Sequence, residues 1–278
     1  MNTSKIMPWL AIKFNRLSPS LRFKLQYFHH RGSFPNLKNP QNFSEVIGKQ
    51  MVSRELEQYA DLVDKIKVRD YIKEMGFEEY LPQLYGVWEA AENISLENCP
   101  ERFIMKTNHG SGGHIICRDK KTLNLEEVKS HFTQLMSHHY SRLETQYDSI
   151  KPLVYAEEFI DDGHAIPTDY KFMCMDGEIK AILLCFDRDA NVHKLVYSSN
   201  WEKLPYIKGE SFIDLDYPCP ENFEEMKKIV TIICKHFTQV RVDLYNAFGK
   251  IYFGELTFTA DGGILRNFTM DAIKAMGR

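Results

Sequence analysis

The sequence predicts an α+β fold whose C-terminal half is strand-rich, mostly antiparallel and covered by helices. One observation is a hairpin pattern over 170–186, in which two alternating runs are joined by Asp176-Gly177, a strong signal for a two-residue turn. A second β-rich pair of runs with a short turn between them spans 240–256. An apolar stripe at helical spacing from 223 to 237 predicts a helix that covers these strands.

The composition is that of an ordinary globular protein, with 278 residues, 44% apolar and 26% charged. Six scattered cysteines without a CxxC pair indicate neither a zinc knuckle nor a disulfide framework, so reduced thiols in a cytoplasm are the simplest account. No apolar run reaches membrane-spanning length, and the first residues lack the apolar core of a signal peptide. We therefore expect a cytoplasmic protein, and no nucleic-acid partner, because no basic-aromatic stripe occurs beyond the first residues.

Residues 1–44 form a basic amphipathic leader that contains seven Lys and Arg residues and no acid. The total charge is -3, so the rest of the chain carries -10. Interleaved apolar residues suit the leader to an anionic membrane surface or an acidic glycan, which keeps a peripheral position at the inner face of the cell membrane open. The alternative is a helical arm packed against the body or a partner subunit.

The segment that follows the leader is predicted to be helical. Apolar residues over 59–75 share one helical stripe, and Gly76 fits a C-terminal cap. This pattern predicts a single helix that ends at the glycine.

A glycine-rich loop, residues 110–113, follows a predicted strand that contains Lys106. Glycines let the backbone turn tightly and present N–H groups to an anion, and a lysine supplies a point charge for phosphate. The loop is not a Walker loop, because no GK[ST] follows it. Taken alone, a hairpin tip beside a surface lysine is an equally good interpretation.

An acidic cluster comes at the end of another predicted strand, 153–159. Backbone groups at such a strand end can pair with an adenine, and Asp161 or Asp162 can accept ribose hydroxyls. A solvated acidic loop is the alternative. Lys171 and Arg188, expected on the two strands of the following hairpin, either face Lys106 across a cleft or are exposed charges.

Asp243 and Glu255 lie on the two predicted strands of the final hairpin, one carboxylate on each. Side chains alternate faces along a strand, so Asp243 shares a face with Arg241, and Glu255 shares one with Thr257. Two carboxylates across a ladder can hold Mg²⁺, which prefers hard oxygen ligands. The register is open at this point, and solvated surface acids are the alternative. Acids on a surface face contribute little stability, so we expect their loss to reduce turnover far more than folding.

The order of these features resembles the ATP-grasp superfamily, and more closely its TupA-like family, which is associated with teichuronopeptide and other surface-polysaccharide biosynthesis. The matching stretches run from about residue 40 to about residue 260. They read LVDKIKVRDYIKE, RFIMKTNHGSGGHII, YAEEFIDD, DYKFMCMDGEIK and RVDLYNAFGKIYFGELTF.

The resemblance implies the ATP-grasp fold, in which two α+β lobes with largely antiparallel sheets clasp ATP after a short helical N-terminal region. The implied domains are the leader (1–44), a small helical region (45–100), a first lobe with the glycine-rich loop (101–156) and a second lobe with the metal site (157–278). Large ligases of the superfamily begin with a full α/β domain that helps to bind substrate. Residues 45–100 are too short and too helical for one, so substrate choice is the least defined feature.

The resemblance also implies roles for individual residues. The residues assigned to ATP are Lys106, Ser111, Gly112, Gly113, Glu157, Glu158, Phe159, Ile160 and Asp162, with Asp161 as the alternative near the ribose. Lys171 and Arg188 resemble catalytic basic residues that face the phosphates and the reacting carboxylate. Asp243 and Glu255 resemble the Mg²⁺ ligands, and Thr257 stands where the wider superfamily has a third ligand, asparagine.

The implied activity is an ATP-dependent carboxylate-amine ligase that forms an amide through an acyl phosphate. Its expected cofactors are ATP and Mg²⁺, and its expected partners are a small-molecule carboxylate and an amine, or a bacterial surface glycan or precursor that carries them. Two alternatives stay open: a phosphotransferase that acts on a sugar hydroxyl, and a non-catalytic nucleotide-binding scaffold of a polysaccharide assembly complex, anchored by the leader.

Overall fold

The computed structural model describes residues 17–137, 143–188, 192–209 and 215–278, so leader residues 1–16 lie outside the described part. The helices of the described chain are α1 (Pro19–Arg31), α2 (Phe43–Ser53), α3 (Ala60–Val63), α4 (Val68–Glu74), α5 (Leu125–Met136), α6 (Phe223–Cys234) and α7 (Met270–Ala275). Short 3₁₀ turns lie at Glu55–Tyr59, Glu78–Tyr80, Ala91–Asn93, Lys120–Thr122, Thr145–Tyr147 and Ala260–Gly263. No helix of the described residues is both long and apolar enough to span a bilayer.

The first sheet has four strands, β1 (Leu84–Trp88), β2 (Phe103–Thr107), β3 (Ile115–Cys117) and β4 (Val154–Glu158), in the order β1-β4-β2-β3. All its neighbours are antiparallel. Its own small core contains Phe103, Met105 and Ala156, together with Val128 and Phe132 of α5. The helix is amphipathic, and Asn124 caps its first turn by accepting hydrogen bonds from two backbone N–H groups.

The second sheet has five strands, β5 (Asp169–Met175), β6 (Glu178–Phe186), β7 (His193–Tyr197), β8 (Gln239–Ala247) and β9 (Lys250–Thr257), in the order β7-β6-β5-β8-β9. The two predicted hairpins are confirmed as antiparallel pairs. Val240, Val242 and Leu244 point into the main core, where α6 packs against this face. At β5 and β8 the opposite face carries charged side chains, among them Lys171 and Asp243.

Helix α1 packs against the body of the protein. Phe23 and Tyr27 are buried in the main core, and Arg31 donates hydrogen bonds to the carbonyls of Ile264, Leu265 and Phe268. For the described part of the leader, the interpretation as a packed helical arm is therefore confirmed.

The single helix predicted over 59–75 is wrong, because the structure has two short helices, α3 and α4, with an extended residue, Asp64, between them. The Asp64 carboxylate accepts hydrogen bonds from the backbone N–H groups of Ile66 and Lys67. Such local side-chain bonds compete with the helical ladder and end it. Gly76 does adopt the predicted cap conformation, with φ 79°.

Other expectations also need correction. Arg188 lies beyond β6, which ends at Phe186, and strand β7 was not predicted. The predicted domain boundaries cut across the first sheet, since β1 comes from segment 45–100 and the boundary after residue 156 falls inside β4. Strand pairing joins segments that are distant along the chain, so composition along the chain does not reveal it.

Candidate active site

A cavity of about 330 Å³ lies between the two sheets. The predicted residues that line it are Lys106, Ser111, Gly112, Glu157, Glu158, Phe159, Ile160, Lys171, Arg188, Asp243 and Glu255. In the described chain, Gly113, Asp162 and Thr257 are not part of its lining. The cavity therefore brings together residues that lie up to 190 positions apart along the chain, from Lys65 to Glu255.

The floor of the cavity is the polar face of the second sheet. Lys171 on β5 is directly opposite Asp243 on β8, and Asp243 is directly opposite Glu255 on β9. This row settles the register that the sequence leaves open. Because strand side chains alternate with period two, Asp169 and Arg241, each two residues away along its own strand, project to the same face.

The row is held by a continuous network of ion pairs. Lys171 Nζ lies 2.7 Å from Asp243 Oδ2 and 3.1 Å from Asp169 Oδ2, and Arg188 Nη1 lies 2.7 Å from Asp169 Oδ2. Arg241 Nη2 donates to Asp243 Oδ2 at 2.7 Å and to Glu255 Oε1 at 2.9 Å.

Lys65, from the turn between α3 and α4, completes this network at 3.1 Å from Glu255 Oε2. Four cations thus face three carboxylates, which leaves one positive charge in excess among these seven side chains. An excess of positive charge at the cavity floor suits a polyanionic ligand.

The network keeps Glu255, Asp169 and Lys171 ionised. Burial on its own would raise the pKa of Glu255, yet Lys65, Arg241 and Lys171 hold that pKa well below its usual range. Burial likewise opposes ionisation of Asp169, but Lys171 and Arg188 lower its pKa. The pKa of Lys171 is raised despite burial, because Asp169 and Asp243 stabilise the ammonium.

Burial also corrects the expectation that the two acids are surface groups. The side chain of Asp243 is 2% exposed and that of Glu255 is 30% exposed. Removal of a buried carboxylate leaves its cationic partners uncompensated, so Asp243 contributes to folding as well as to the site.

The glycine-rich loop lies over one side of the cavity. Gly110, Gly112 and Gly113 all have positive φ, between 68° and 80°, which side-chain-bearing residues rarely adopt. Lys65 Nζ donates a hydrogen bond to the Gly110 carbonyl at 2.9 Å, so the lysine contacts both the loop and Glu255.

The opposite side of the cavity is the end of β4. Lys106 Nζ donates to Glu157 Oε1 at 2.7 Å, and Glu158 accepts a hydrogen bond from the Tyr252 hydroxyl at 2.7 Å. Phe159 and Ile160 add an apolar surface to the cavity wall. The carboxylates at this strand end are thus bound to protein groups, while the aromatic and aliphatic side chains suit a flat base.

The aspartates predicted for the ribose are both bound to other groups of the protein. Asp162 accepts hydrogen bonds from the backbone N–H groups of His164 and Thr168, and Asp161 pairs with Arg102 at 2.8 Å. Short side chains of this type stabilise turns in the same way throughout proteins. Asp162 therefore shapes the loop after β4 in this structure.

A family model described as TupA-like ATPgrasp matches residues 45–277. The chain belongs to the TupA-like ATP-grasp family. Comparison with curated proteins finds no match. The predicted family and the predicted α+β fold with two antiparallel sheets are confirmed.

Several solved structures are similar to this TupA-like ATP-grasp protein. D-alanine--D-alanine ligase from Bacillus anthracis is 18% identical with a TM-score of 0.43, over 76% of this chain and 60% of the ligase. D-cycloserine synthetase DcsG is 14% identical with a TM-score of 0.43, over 81% of this chain and 69% of that one. N5-carboxyaminoimidazole synthetase from Staphylococcus aureus, solved with ADP, is 13% identical with a TM-score of 0.42, over 70% and 44%. The match thus spans about 60% of the length of the ligase.

The donor set of this TupA-like ATP-grasp protein fits Mg²⁺ in part. Asp243 and Glu255 both approach one cationic atom, Arg241 Nη2, so the two carboxylates are able to share a positive centre. Thr257 Oγ1 instead donates to Glu255 at 3.0 Å. No cluster of three or more His, Cys, Asp or Glu side chains suited to a metal occurs among the described residues. The acid pair would therefore hold Mg²⁺ together with substrate phosphates, as is usual for this ion.

Three Lys, Arg, Asp or Glu residues in the described lining of the cavity were not predicted: Lys65, Asp169 and Arg241. Each lies in a stretch quoted above for the family resemblance, and Arg241 shares the Asp243 face by simple alternation. Alternation was therefore a usable signal for Arg241. The sequence contains no comparable signal for Lys65, because its partner Glu255 is 190 residues away and comes close only through the fold.

Proposed function

We propose that the protein is an ATP-dependent carboxylate-amine ligase that works through an acyl phosphate. The single observation that supports this most is the ion-pair network at the cavity floor, in which four cationic side chains face three carboxylates next to the glycine-rich loop. ATP-grasp membership supports ATP as the ligand of that cavity.

In the proposed first step, a carboxylate oxygen of the acceptor attacks the γ-phosphorus of ATP. The bond from that phosphorus to its bridging oxygen breaks, and ADP leaves with the electron pair. In the second step an amine nitrogen attacks the acyl carbon, inorganic phosphate leaves, and the nitrogen loses a proton to give a neutral amide. Both steps need positive charge around the transferred phosphoryl group.

The residues proposed to supply this charge are Lys106, Lys171, Arg188 and Arg241. Lys171 and Arg188 share Asp169, which fixes their direction at the cavity floor. Mg²⁺ held by Asp243 and Glu255 would neutralise further phosphate charge. Residues 110–113 would exclude water from the acyl phosphate, since a loop with three glycines in four positions can cover a ligand closely.

We further propose that the acceptor carboxylate belongs to a bacterial surface polysaccharide or its precursor and that the amine is an amino acid or another amine. The proposed setting is the cytoplasm, which suits an ATP-dependent enzyme with six free cysteines. Membership of the TupA-like family, which is associated with surface-polysaccharide biosynthesis, supports the proposed class of acceptor.

The proposal is tested by measuring ADP and phosphate release with ATP, Mg²⁺ and a matrix of uronic acids against amino acids. We expect release that requires both an acid and an amine and that falls at least about a hundredfold in Asp243→Asn. Asp61→Asn, which changes an aspartate with a 73% exposed side chain, is the matched control. A phosphorylated sugar without free phosphate would identify a phosphotransferase instead, and nucleotide binding without turnover of any pair would identify a scaffold.

A further inference from the structure

A second cavity, of about 480 Å³, adjoins the first one. Lys65, Gly110, Ser111, Arg241 and Glu255 line both cavities. A ligand in the second cavity would therefore meet the nucleotide site across the Arg241–Glu255 contact, where the proposed phosphoryl transfer takes place.

The outer walls of this cavity come from parts of the chain that have no role in the nucleotide site. Gln26 and His30 lie four residues apart on one face of α1, and Asp261 and Arg266 come from the 3₁₀ turn after β9 and the residues that follow it. Arg31 binds these two walls together through its hydrogen bonds to the carbonyls of residues 264, 265 and 268.

The lining is mainly polar, whereas cavities for apolar small molecules are lined mostly by hydrophobic side chains. At the shared wall, Arg241 and Lys65 face one carboxylate, Glu255, which leaves one positive charge in excess for the carboxylate of a ligand. Away from that wall the lining changes to hydrogen-bonding groups that suit hydroxyls, among them Gln26, Thr259 and Asp261. This gradient in net charge runs from positive at the shared wall to neutral and acidic at the outer wall, where Arg266 is paired with Asp261.

His30 contributes to the neutral part of this gradient. Desolvation, followed by electrostatic interactions with His29 and Arg266, lowers the pKa of His30. At neutral pH its ring is thus uncharged and has one donor and one acceptor nitrogen, which matches a hydroxyl group better than it matches a second carboxylate.

We propose that this second cavity is the acceptor site, and that α1 together with residues 261–266 selects a hydroxyl-bearing carboxylic acid of about sugar size. The proposal rests on the ligase function proposed above. The acid carboxylate lies against Arg241 and Lys65, and its hydroxyls contact the α1 wall. Gln26 is a specificity residue, and it does not take part in the chemistry.

The test measures binding of D-glucuronate, D-glucose and hexanoate to the ADP-saturated protein by ligand-observed NMR titration. The comparison uses the wild type, Gln26→Ala, and Lys24→Ala, a matched change on the same helix at a residue outside the cavity lining. ADP affinity is measured separately for all three proteins by calorimetry.

We expect D-glucuronate to bind more tightly than D-glucose and hexanoate, and Gln26→Ala to weaken it about fivefold, which corresponds to one hydrogen bond. ADP affinity should be the same in all three proteins, and Lys24→Ala should bind D-glucuronate normally. The acceptor-site proposal is overturned if the protein binds ADP but shows no preference for D-glucuronate, or if Gln26→Ala binds D-glucuronate as tightly as the wild type does. Either result leaves the ligase proposal standing. Failure of the wild type to bind ADP overturns both.

Discussion

Asp243 and Glu255 lie directly opposite each other on β8 and β9, and both accept a hydrogen bond from the same nitrogen of Arg241. The contact unites three residues that strand alternation places on one face. It also makes the stability of this hairpin depend on the charges of the site.

Replacement of these acids should therefore affect stability unequally. We expect Asp243→Asn to lower the free energy of unfolding by about 3 kcal/mol, because its 2% exposed carboxylate neutralises both Lys171 and Arg241. Glu255→Gln, at 30% side-chain exposure, should cost about 1 kcal/mol. Urea unfolding of both variants measures the difference. Equal losses, or a larger loss for Glu255→Gln, would contradict this account.

The glycine-rich loop gives a second prediction. A methyl group at Gly113 would lie 2.6 Å from a Leu135 side-chain carbon, whereas one at Gly112 would meet nothing within 4 Å. Both positions have positive φ, which costs an alanine about 1–2 kcal/mol. Gly113→Ala should thus raise the KM for ATP more than Gly112→Ala does.

Leu135→Ala provides the control for that comparison, since it removes the side chain that an alanine at 113 would meet. We expect the double variant Gly113→Ala, Leu135→Ala to regain part of the lost ATP affinity relative to Gly113→Ala alone. If the two glycine variants have the same KM for ATP, the close packing of the loop on α5 does not affect ATP binding, and the prediction is wrong.

The strands and turns that carry the site residues could be predicted from local sequence, because the local rules for strands and turns are strong, whereas the roles of those residues came from the family resemblance. Alternation placed Asp243 on the face opposite Val242, and the Asp176-Gly177 turn formed as expected, with both residues at positive φ. Contacts between distant segments could not be predicted in this way. Asp169 acquires its role only when Arg188, 19 residues later, folds back beyond the end of β6.

The helix break at Asp64 also could not be predicted from the local pattern. Periodicity over 59–75 is helical, yet the Asp64 carboxylate binds two nearby backbone N–H groups and also accepts a hydrogen bond from the Asn108 side chain. The contact with Asn108 holds this turn beside the glycine-rich loop and so places Lys65 in the site. A tertiary contact therefore overrides a local pattern.

His114, on the wall of the cavity between the two sheets, gives a prediction about pH. Partial burial and the charges of Lys106 and Arg188 lower the pKa of His114 in the free protein. A bound polyphosphate would raise it, so the complex holds more protons than the free protein between the two pKa values. ADP affinity should then increase about threefold as the pH falls through the range just below 6.5.

His114→Gln removes the titrating ring and serves as the control, because protonation of ADP itself affects both proteins equally. The measurement is calorimetric ADP affinity of the two proteins from pH 8 to about pH 5.5. A pH dependence that is the same in both proteins would exclude His114 as the cause.

The hydrogen bonds of Arg31 to residues 264, 265 and 268 give a prediction about helix α1. Arg31→Gln should lower the free energy of unfolding by about 2 kcal/mol. The substitution removes charge-assisted hydrogen bonds to three backbone carbonyls that hold α1 on residues 264–268. Arg54→Gln, which removes an ion pair with a 65% exposed arginine side chain, should change stability by less than about 0.5 kcal/mol. Hydrogen exchange in α1 should accelerate only in the Arg31 variant.

The most direct test of the ligase account follows oxygen atoms from substrate to product. The acid found in the turnover matrix is labelled with oxygen-18 in its carboxylate and incubated with ATP, Mg²⁺ and the amine. If an acyl phosphate forms, one labelled oxygen passes from the carboxylate to the released phosphate, and mass spectrometry of that phosphate detects it. Unlabelled phosphate, or label that remains entirely in the acid and its product, would contradict phosphoryl transfer to the carboxylate.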